Sequence, residues 1–313
     1  VTGKKDILAI EVGYHGNTNA VMDVSSYKFE GKGGFPKPET THILLLPDSF
    51  RGKYIGENCG IDYANHAAEI IQNLEVEGKE IAGFIGETMI SCGGQIVPPK
   101  NYFKEIYKHV REAGGICIAD EVQTGFGRMG KTFWAFELYD VQPDIVTMGK
   151  PAGNGHPLAV VACSKEIAEK FNTGMEYFNT FGGNPVSCAI GRTVLEVIEE
   201  EDLQQNALEV GSFLIAELKK LQKQFPIIGD VRGQGLFLGF ELNDFNKNPS
   251  LQITYRFWGG FYGSFFLIST SSLRTLRLCG KLSPQRRGER KDFTSLSSLS
   301  EKHRAPFLWY AGK

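Results

Sequence analysis

The chain has 313 residues, of which 42% are hydrophobic and 22% are charged, so its composition predicts a folded protein with a large core. Its formal net charge of −2 argues against a role of the whole protein in holding nucleic acid. The sequence contains no run of about 18 apolar residues, as a membrane-spanning helix requires, and no signal-peptide pattern at its beginning.

The cysteines indicate reduced thiols rather than disulfides. They occur singly, without the close pairs or the Cys/His spacing of a metal site. We therefore predict mostly structural thiols, no metal, and a cytoplasmic location for the protein. The six residues are Cys59, Cys92, Cys117, Cys163, Cys188 and Cys279.

The first part of the chain alternates strand-like and helix-like patterns. Apolar runs at Asp6–Ile10 and 41–47 predict two strands, and apolar spacing over 62–75 predicts a helix. A strand at 81–85 follows, with Glu87 just past its end. This order predicts an α/β fold, with a mostly parallel sheet covered by helices.

Two further predicted strands lead into chemically active residues. After an amphipathic helix at 102–113, the run 116–119 leads into Asp120, and the run 144–148 leads to Lys150. Ligands bind outside the carboxyl ends of the strands in open α/β sheets. A lysine loses several kcal/mol on burial unless it is paired or used, so Lys150 is predicted to react through its amine. The alternative is a lysine that extends from its loop into solvent.

Asp120 and Lys150 together suit pyridoxal phosphate. This cofactor needs a lysine that forms a Schiff base with its aldehyde, and an acid that keeps its ring nitrogen protonated. The two residues lie thirty positions apart, a separation that suits two strands joined by one crossover.

The chain continues with a strand at 158–163 and a loop at 177–185. In this loop, Asn184 is predicted as the N-cap of a helix and Pro185 as part of its first turn. A further amphipathic helix is predicted at 203–224, and the segment after it begins a smaller domain.

Several spaced motifs resemble one family. DEVQTGFGR at 120–128 and GKPAGNGHP at 149–157 are similar to class III aminotransferases, which are pyridoxal-phosphate enzymes of fold type I. YHGNT at 14–18, GET at 86–88 and FNTFGGNP at 178–185 agree with them in order. The chain is most similar to the branch of alanine–glyoxylate aminotransferase-like enzymes and phospho-lyases that act on phosphorylated amino alcohols.

The resemblance implies a cofactor role for five further residues around Asp120 and Lys150. Tyr14 would stack on the cofactor ring, His15 would be a polar neighbour, and Val122 would pack behind the ring. Gln123 would reach a polar edge of the cofactor, and Glu87 would lie near its ring hydroxyl. Two alternatives remain: Tyr14 and His15 pack on the sheet as a loop pair, and Glu87 only binds backbone N–H groups.

The resemblance also implies a homodimer with shared active sites. The threonine that matches Thr180 binds the cofactor phosphate of the neighbouring subunit, in a loop before a helix N-terminus. A plain capping loop is the alternative.

The family pattern ends near Leu242. Residues 254–313 hold eleven Lys and Arg against three Asp and Glu, whereas the whole chain has 34 and 36. We predict a large cofactor-binding domain at 1–225, the beginning of a small domain at 226–253, and an atypical basic tail at 254–313. A shifted reading frame, a disordered segment or a nucleic-acid tail would each account for this composition.

The resulting prediction is an enzyme that transfers an amino group between an amine or amino acid and a keto acid or aldehyde. A phospho-lyase that eliminates phosphate from a phosphorylated amino alcohol or amino acid is the alternative. A truncated, inactive relative that acts as a binding or dimerisation module is the second alternative. The family's glycine/serine phosphate loop would precede Val1, so weak cofactor binding is expected of the chain as it stands.

Overall fold

A computed structural model describes residues 1–56 and 58–243, and the backbone of two more strands at 254–259 and 264–269. The first sheet contains β1 (Asp6–Ile10), β2 (Thr41–Leu44), β3 (Ile81–Glu87), β4 (Ile116–Asp120), β5 (Ile145–Met148) and β6 (Val160–Cys163). The helices are α1 (Asn19–Met22), α2 (Cys59–Val76), α3 (Tyr102–Glu112), α4 (Lys165–Phe171), α5 (Pro185–Glu200) and α6 (Leu203–Gln224). Short 3-10 helices lie at Ser26–Lys28, Ala135–Tyr139 and Lys150–Gly153.

The first sheet has the strand order β2-β1-β3-β4-β5-β6. Every neighbouring pair is parallel except β5 and β6, which are antiparallel. The predicted α/β fold with a mostly parallel sheet is therefore confirmed. Because parallel strands end at the same edge, the residues that follow β1, β3, β4 and β5 come together there.

Two amphipathic helices, α2 and α3, cover one face of this sheet. Each places apolar side chains three or four positions apart, which puts them on one face of the helix. Together with apolar residues of the sheet they form the main core, and burying each large side chain contributes about 1.5–3 kcal/mol. The largest fully buried members of this core include Tyr63, Tyr102, Phe103 and Ile106 from the helices and Leu8 and Phe84 from the strands.

The lysine loop is anchored to α5. Asn184 is the N-cap of α5, since its side chain accepts a 3.0 Å hydrogen bond from the Ser187 backbone N–H, and Pro185 is the first helical residue. Both features were predicted. His156 Nε2 lies 2.8 Å from Ser187 Oγ, and a β-carbon at Gly191 would come within 2.7 Å of Leu158. The loop that begins at Lys150 is thus packed closely on α5.

A second sheet is antiparallel, with the order β10-β9-β8-β7. It contains β7 (Ile228–Gln234), β8 (Phe237–Leu242), β9 (Thr254–Gly259) and β10 (Ser264–Ser269). The last two strands fall within the stretch predicted as a basic tail, and residues 244–253, 260–263 and 270–313 lie outside the described residues. The division into domains stays a prediction.

Candidate active site

Three ionisable side chains meet at the carboxyl edge of the first sheet. Glu87 is the last residue of β3 and Asp120 the last residue of β4, and the two are partners in the strand register. Asp120 is in turn the register partner of Thr147 on β5. Lys150 lies two residues beyond the end of β5. Strand pairing alone therefore brings both predicted carboxylates and the predicted lysine to one place.

Asp120 is buried and held by two donors. Its Oδ2 lies 2.7 Å from His15 Nδ1, and its Oδ1 accepts a 3.0 Å hydrogen bond from the Val122 backbone N–H. The His15 side chain is only 1% exposed. Its Nε2 has no hydrogen-bond partner within the part of the chain that the structure describes. These contacts fix the orientation of the Asp120 carboxylate.

Glu87 is buried beside Asp120 and accepts hydrogen bonds from both sides of the site. Its Oε1 accepts from the Tyr14 backbone N–H at 3.2 Å, and its Oε2 accepts from the Ser91 N–H at 3.1 Å and hydroxyl at 2.5 Å. Burial raises the pKa of Glu87, whereas His15 and the Ser91 hydrogen bonds act in the opposite direction. Glu87 does bind backbone N–H groups, and these contacts also place it beside Asp120.

Ser91 is a site residue that the sequence analysis missed. Its hydroxyl donates to Glu87 and accepts a 2.6 Å hydrogen bond from Gln123 Nε2. Ser91 therefore links the side chain of Glu87, at the end of β3, to the side chain of Gln123, which follows β4. The feature of the sequence that could have indicated Ser91 is a hydroxyl residue four positions after Glu87, shortly before the turn residues Gly93 and Gly94.

Lys150 begins a short 3-10 turn and supplies the amine of the site. Burial by surrounding protein lowers the pKa of Lys150, and the charge of Arg128 lowers it further, although the side chain remains accessible from solvent. The negative charges of Glu87 and Asp120 act in the opposite direction, as does Cys92. The two carboxylates therefore favour the charged form of the amine, and burial favours its neutral form.

Two apolar surfaces border the site. Val122 follows Asp120, and a β-carbon at Gly149 would lie 3.5 Å from its Cγ1, so this valine packs beside the lysine loop. Tyr14 is tied to Glu87 through its backbone, its hydroxyl accepts from Asn17 at 3.0 Å, and its ring lies 6.0 Å from that of Tyr27.

A second buried carboxylate, that of Glu121, holds the loop behind Asp120. It accepts hydrogen bonds of 2.7 to 3.0 Å from the hydroxyls of Thr88 and Thr124 and from the backbone N–H groups of Ala135 and Phe136. Burial raises the pKa of Glu121, and these four donors oppose that effect. Its contacts are all structural, so it supports the site without facing the lysine.

Thr180 is not brought to this group. It lies in an exposed segment before α5, and among the residues that the structure describes no hydrogen bond joins it to the others. The other seven predicted residues lie at or beside one edge of the sheet: Tyr14, His15, Glu87, Asp120, Val122, Gln123 and Lys150.

The chemistry of this group fits pyridoxal phosphate. It combines an amine of lowered pKa, a fixed carboxylate, a valine and an aromatic ring, and an amide–hydroxyl pair at one side. A parallel sheet with these residues at its carboxyl edge defines the large domain of a fold type I pyridoxal-phosphate enzyme. The chain belongs to the class-III aminotransferase family, whose sequence profile matches residues 1–259. The match extends past Leu242, near which the family pattern was predicted to end. The enzymes of this family depend on pyridoxal phosphate.

Individual relatives carry two kinds of name. The chain is 50% identical over 247 residues to alanine–glyoxylate aminotransferase 2-like of Drosophila melanogaster, covering 77% of this chain and 50% of the relative. It is 43% identical over 254 residues to ethanolamine-phosphate phospho-lyase homolog 1 of Caenorhabditis elegans, covering 77% and 54%. The chain thus spans about half the length of these relatives.

The fold is also similar to solved structures. A phospholyase from Arthrobacter, in complex with phosphoethanolamine, superimposes with a TM-score of 0.72 at 32% identity. The match covers 79% of this chain and 58% of that one.

Among the helices that the structure describes, none combines the length and the apolar composition that crossing a membrane requires.

Proposed function

We propose that this chain carries the catalytic half of an amino-group-transferring enzyme. The observation that carries the proposal is the position of Lys150, two residues beyond the end of β5, at the edge of the sheet where Glu87 and Asp120 end the two neighbouring parallel strands. The substrates would be an amine or amino acid and a keto acid or aldehyde. When bound, pyridoxal phosphate supplies an aldehyde and an electron-accepting ring.

The residues of the candidate active site would have different roles in this reaction. Lys150 would hold the aldehyde of the cofactor through its amine, and the same amine would move a proton to or from the substrate carbon. Asp120, fixed by His15, would hold the proton of the ring nitrogen. Val122 and Tyr14 would enclose the ring from its two faces and exclude water.

Polar contacts to the ring edge are proposed for two further residues, Gln123 and Glu87. Gln123 and Glu87 are both bonded to Ser91, so their side chains are held in one arrangement. Glu87 would face the region of the ring hydroxyl, and Gln123 a neighbouring polar edge. Thr180 would bind the cofactor phosphate of a second subunit.

A phospho-lyase reaction is a second candidate for the same site. It is favoured by the relative named an ethanolamine-phosphate phospho-lyase and by the similar phospholyase solved with phosphoethanolamine. The same lysine and aspartate would serve both reactions, since each begins by moving a proton from the amine-bearing carbon. An inactive relative that acts as a binding or dimerisation module is the third candidate.

A homodimer is proposed from the exposed apolar surface near Thr180. The aromatic residues Tyr177, Phe178 and Phe181 are 75–79% exposed, and Val161 at the sheet edge is 67% exposed. An exposed apolar patch of this kind marks an interaction surface. A second subunit that covers it would also bring Thr180 to a neighbouring active site.

A cytoplasmic location is proposed from the thiols. The five described cysteines form no disulfide with one another, and two of them are buried as small apolar residues. Imaging a tagged full-length protein tests this location, and a mitochondrial or secreted signal would contradict it.

Reduction with borohydride tests the proposed role of Lys150. The chain is incubated with excess pyridoxal phosphate, reduced, digested and analysed by mass spectrometry. The cofactor should be fixed on Lys150 and absent from a Lys150→Ala variant. Lys165→Ala, which removes a lysine that is 90% exposed on α4, should label normally. Labelling elsewhere, with Lys150 unmodified, would contradict the proposal.

Product analysis separates the three candidates. Phosphate released from phosphoethanolamine identifies a lyase, and an amino group passed from an amino acid to a keto acid identifies an aminotransferase. Cofactor fixed on Lys150 without either product, in a protein that has both ends of its relatives, identifies the inactive module.

A further inference from the structure

An ionic cluster on the second sheet surrounds Arg232. Its Nη1 lies 2.6 Å from Asp230, and both terminal nitrogens lie 3.1 Å from the same oxygen of Glu241. The Glu241 side chain is 4% exposed and also binds Arg51. A buried carboxylate between two guanidinium groups fixes both of them, because leaving any one of the charges unpaired is costly.

Arg232 also reaches the turn that follows β3 in the first sheet. Its Nε and Nη2 donate to the carbonyl oxygen of Gly94 at 3.1 and 2.9 Å. This is a two-pronged contact that a planar guanidinium can make and an ammonium cannot. Arg51 shares Glu241 with Arg232, but its other side-chain hydrogen bond goes to the carbonyl oxygen of Leu242 at the end of β8 and not to the turn.

The turn held in this way has an unfavourable backbone. Gly94 has φ 109° and Gln95 has φ 53°, in the left-handed region that a non-glycine residue rarely adopts. The turn is closed by a bridge between Ile90 and Ile96. A backbone of this kind persists when its surroundings fix it, and Arg232 supplies two of the fixing hydrogen bonds.

The same turn carries Ser91, whose backbone oxygen accepts from the N–H groups of Gly94 and Gln95. Ser91 holds both Glu87 and Gln123 in the candidate active site. We propose that Arg232 is a positioning residue: by clamping the Gly94 carbonyl, it fixes Ser91 and thereby aligns Glu87 and Gln123 for the cofactor. This rests on the proposed function, and it assigns a role in the site to a residue of the second sheet.

Amide hydrogen exchange of the cofactor-free chain tests whether Arg232 fixes the turn that contains Gly94. Arg232→Met should speed exchange at Gly94, Gln95 and Ile96 by tenfold or more, while Arg51→Met, which disturbs the same Glu241, should leave these amides unchanged. Arg232→Lys keeps the charge beside Glu241 and should show the same loosened turn, so it replaces Arg232→Met if that variant does not fold. Equal exchange in wild type and both Arg232 variants would overturn the proposal.

Cofactor titration tests whether Arg232 supports cofactor binding through this turn. Arg232→Met should weaken pyridoxal-phosphate binding, followed by absorbance, about tenfold, and Arg51→Met less than twofold. With Ser91→Ala already present, Arg232→Met should add less than twofold, because both changes act through one turn. A full tenfold effect in the Ser91→Ala background, or equal losses in the two arginine variants, would mean a structural role only.

The two proposals fail in different ways. Wild-type chain that takes no cofactor on Lys150 contradicts the proposed function, and the exchange measurement then still decides whether Arg232 fixes the turn. Wild-type labelling on Lys150, with equal cofactor affinity in the Arg232→Met variant, contradicts only the role of Arg232.

Discussion

Lys150 and Asp120 show how single side chains acquire reactivity from their surroundings. Burial favours the neutral amine of Lys150, and only a neutral amine attacks an aldehyde. Two carboxylates beside the lysine limit this effect, because they favour the charged form. Asp120 is held at its two oxygens by His15 and the Val122 N–H, so its orientation does not depend on the cofactor.

Because its pKa is lowered, the amine of Lys150 is predicted to react at a lower pH than the amine of a solvent-exposed lysine. Reductive methylation with formaldehyde, followed by mass spectrometry across a pH series, should give a lower midpoint for Lys150 than for Lys165. The sign follows from burial, since a lowered pKa leaves more neutral amine at any pH below the range of an exposed lysine. A midpoint for Lys150 equal to or above that of Lys165 would contradict this.

Replacing Asp120 by Asn keeps the shape of the side chain but removes its charge. Turnover should fall by roughly two to three orders of magnitude, the loss typical of removing one preorganised electrostatic group, while borohydride still labels Lys150. Asp144→Asn is the matched control, because that carboxylate binds the Cys117 N–H and Arg111 outside the site. Unchanged turnover in Asp120→Asn would exclude the proposed role.

At the scale of elements, the sequence predicted the strands of the first sheet and the cap of α5 because those depend on local pattern. Apolar runs and the Asn184–Pro185 pair act within a few residues. It could not predict the turn at 90–96, because Gln95 adopts a left-handed backbone that contacts from the second sheet hold in place. For the same reason Ser91 was missed, whereas strand register alone places Glu87 beside Asp120.

The cap of α5 is predicted to stabilise the lysine loop as well as the helix. Asn184→Ala removes the side-chain acceptor for the Ser187 N–H, and a lost cap of this type costs about 1 kcal/mol of unfolding free energy. Urea denaturation should show that loss. Asn172→Ala is the control, since the Asn172 side chain is exposed at the end of α4; an equal loss in both variants would contradict the capping role.

At the scale of the whole molecule, the described surface carries its exposed aromatic residues unevenly. Tyr177, Phe178 and Phe181 lie within a few residues of one another, before α5. Neighbouring Thr180 is the one predicted site residue that the structure does not bring to the edge of the sheet. Both facts suit a site completed by a second subunit, as the resemblance implied, but the sequence of one chain could not predict where Thr180 would lie.

The proposed dimer predicts different outcomes for substitutions at two exposed phenylalanines, Phe181 and Phe213. Phe181→Asp should weaken association by about 30-fold or more, the effect of losing one strong interface residue, because a buried charge would replace an aromatic ring. Phe213→Asp is the control, since Phe213 is 65% exposed on α6, away from that segment. Sedimentation measurements compare them, and a wild-type monomer or equal effects would contradict the dimer.

The backbone of Lys150 has a consequence for the evolution of this chain. Lys150 has φ 40°, and a left-handed conformation costs a non-glycine residue about 1–2 kcal/mol. Glycine would remove that cost, so a lysine at this position is not the choice that favours the stability of the fold. Under the proposed function, the reaction of the Lys150 amine, and not the stability of the fold, accounts for a lysine with this backbone conformation.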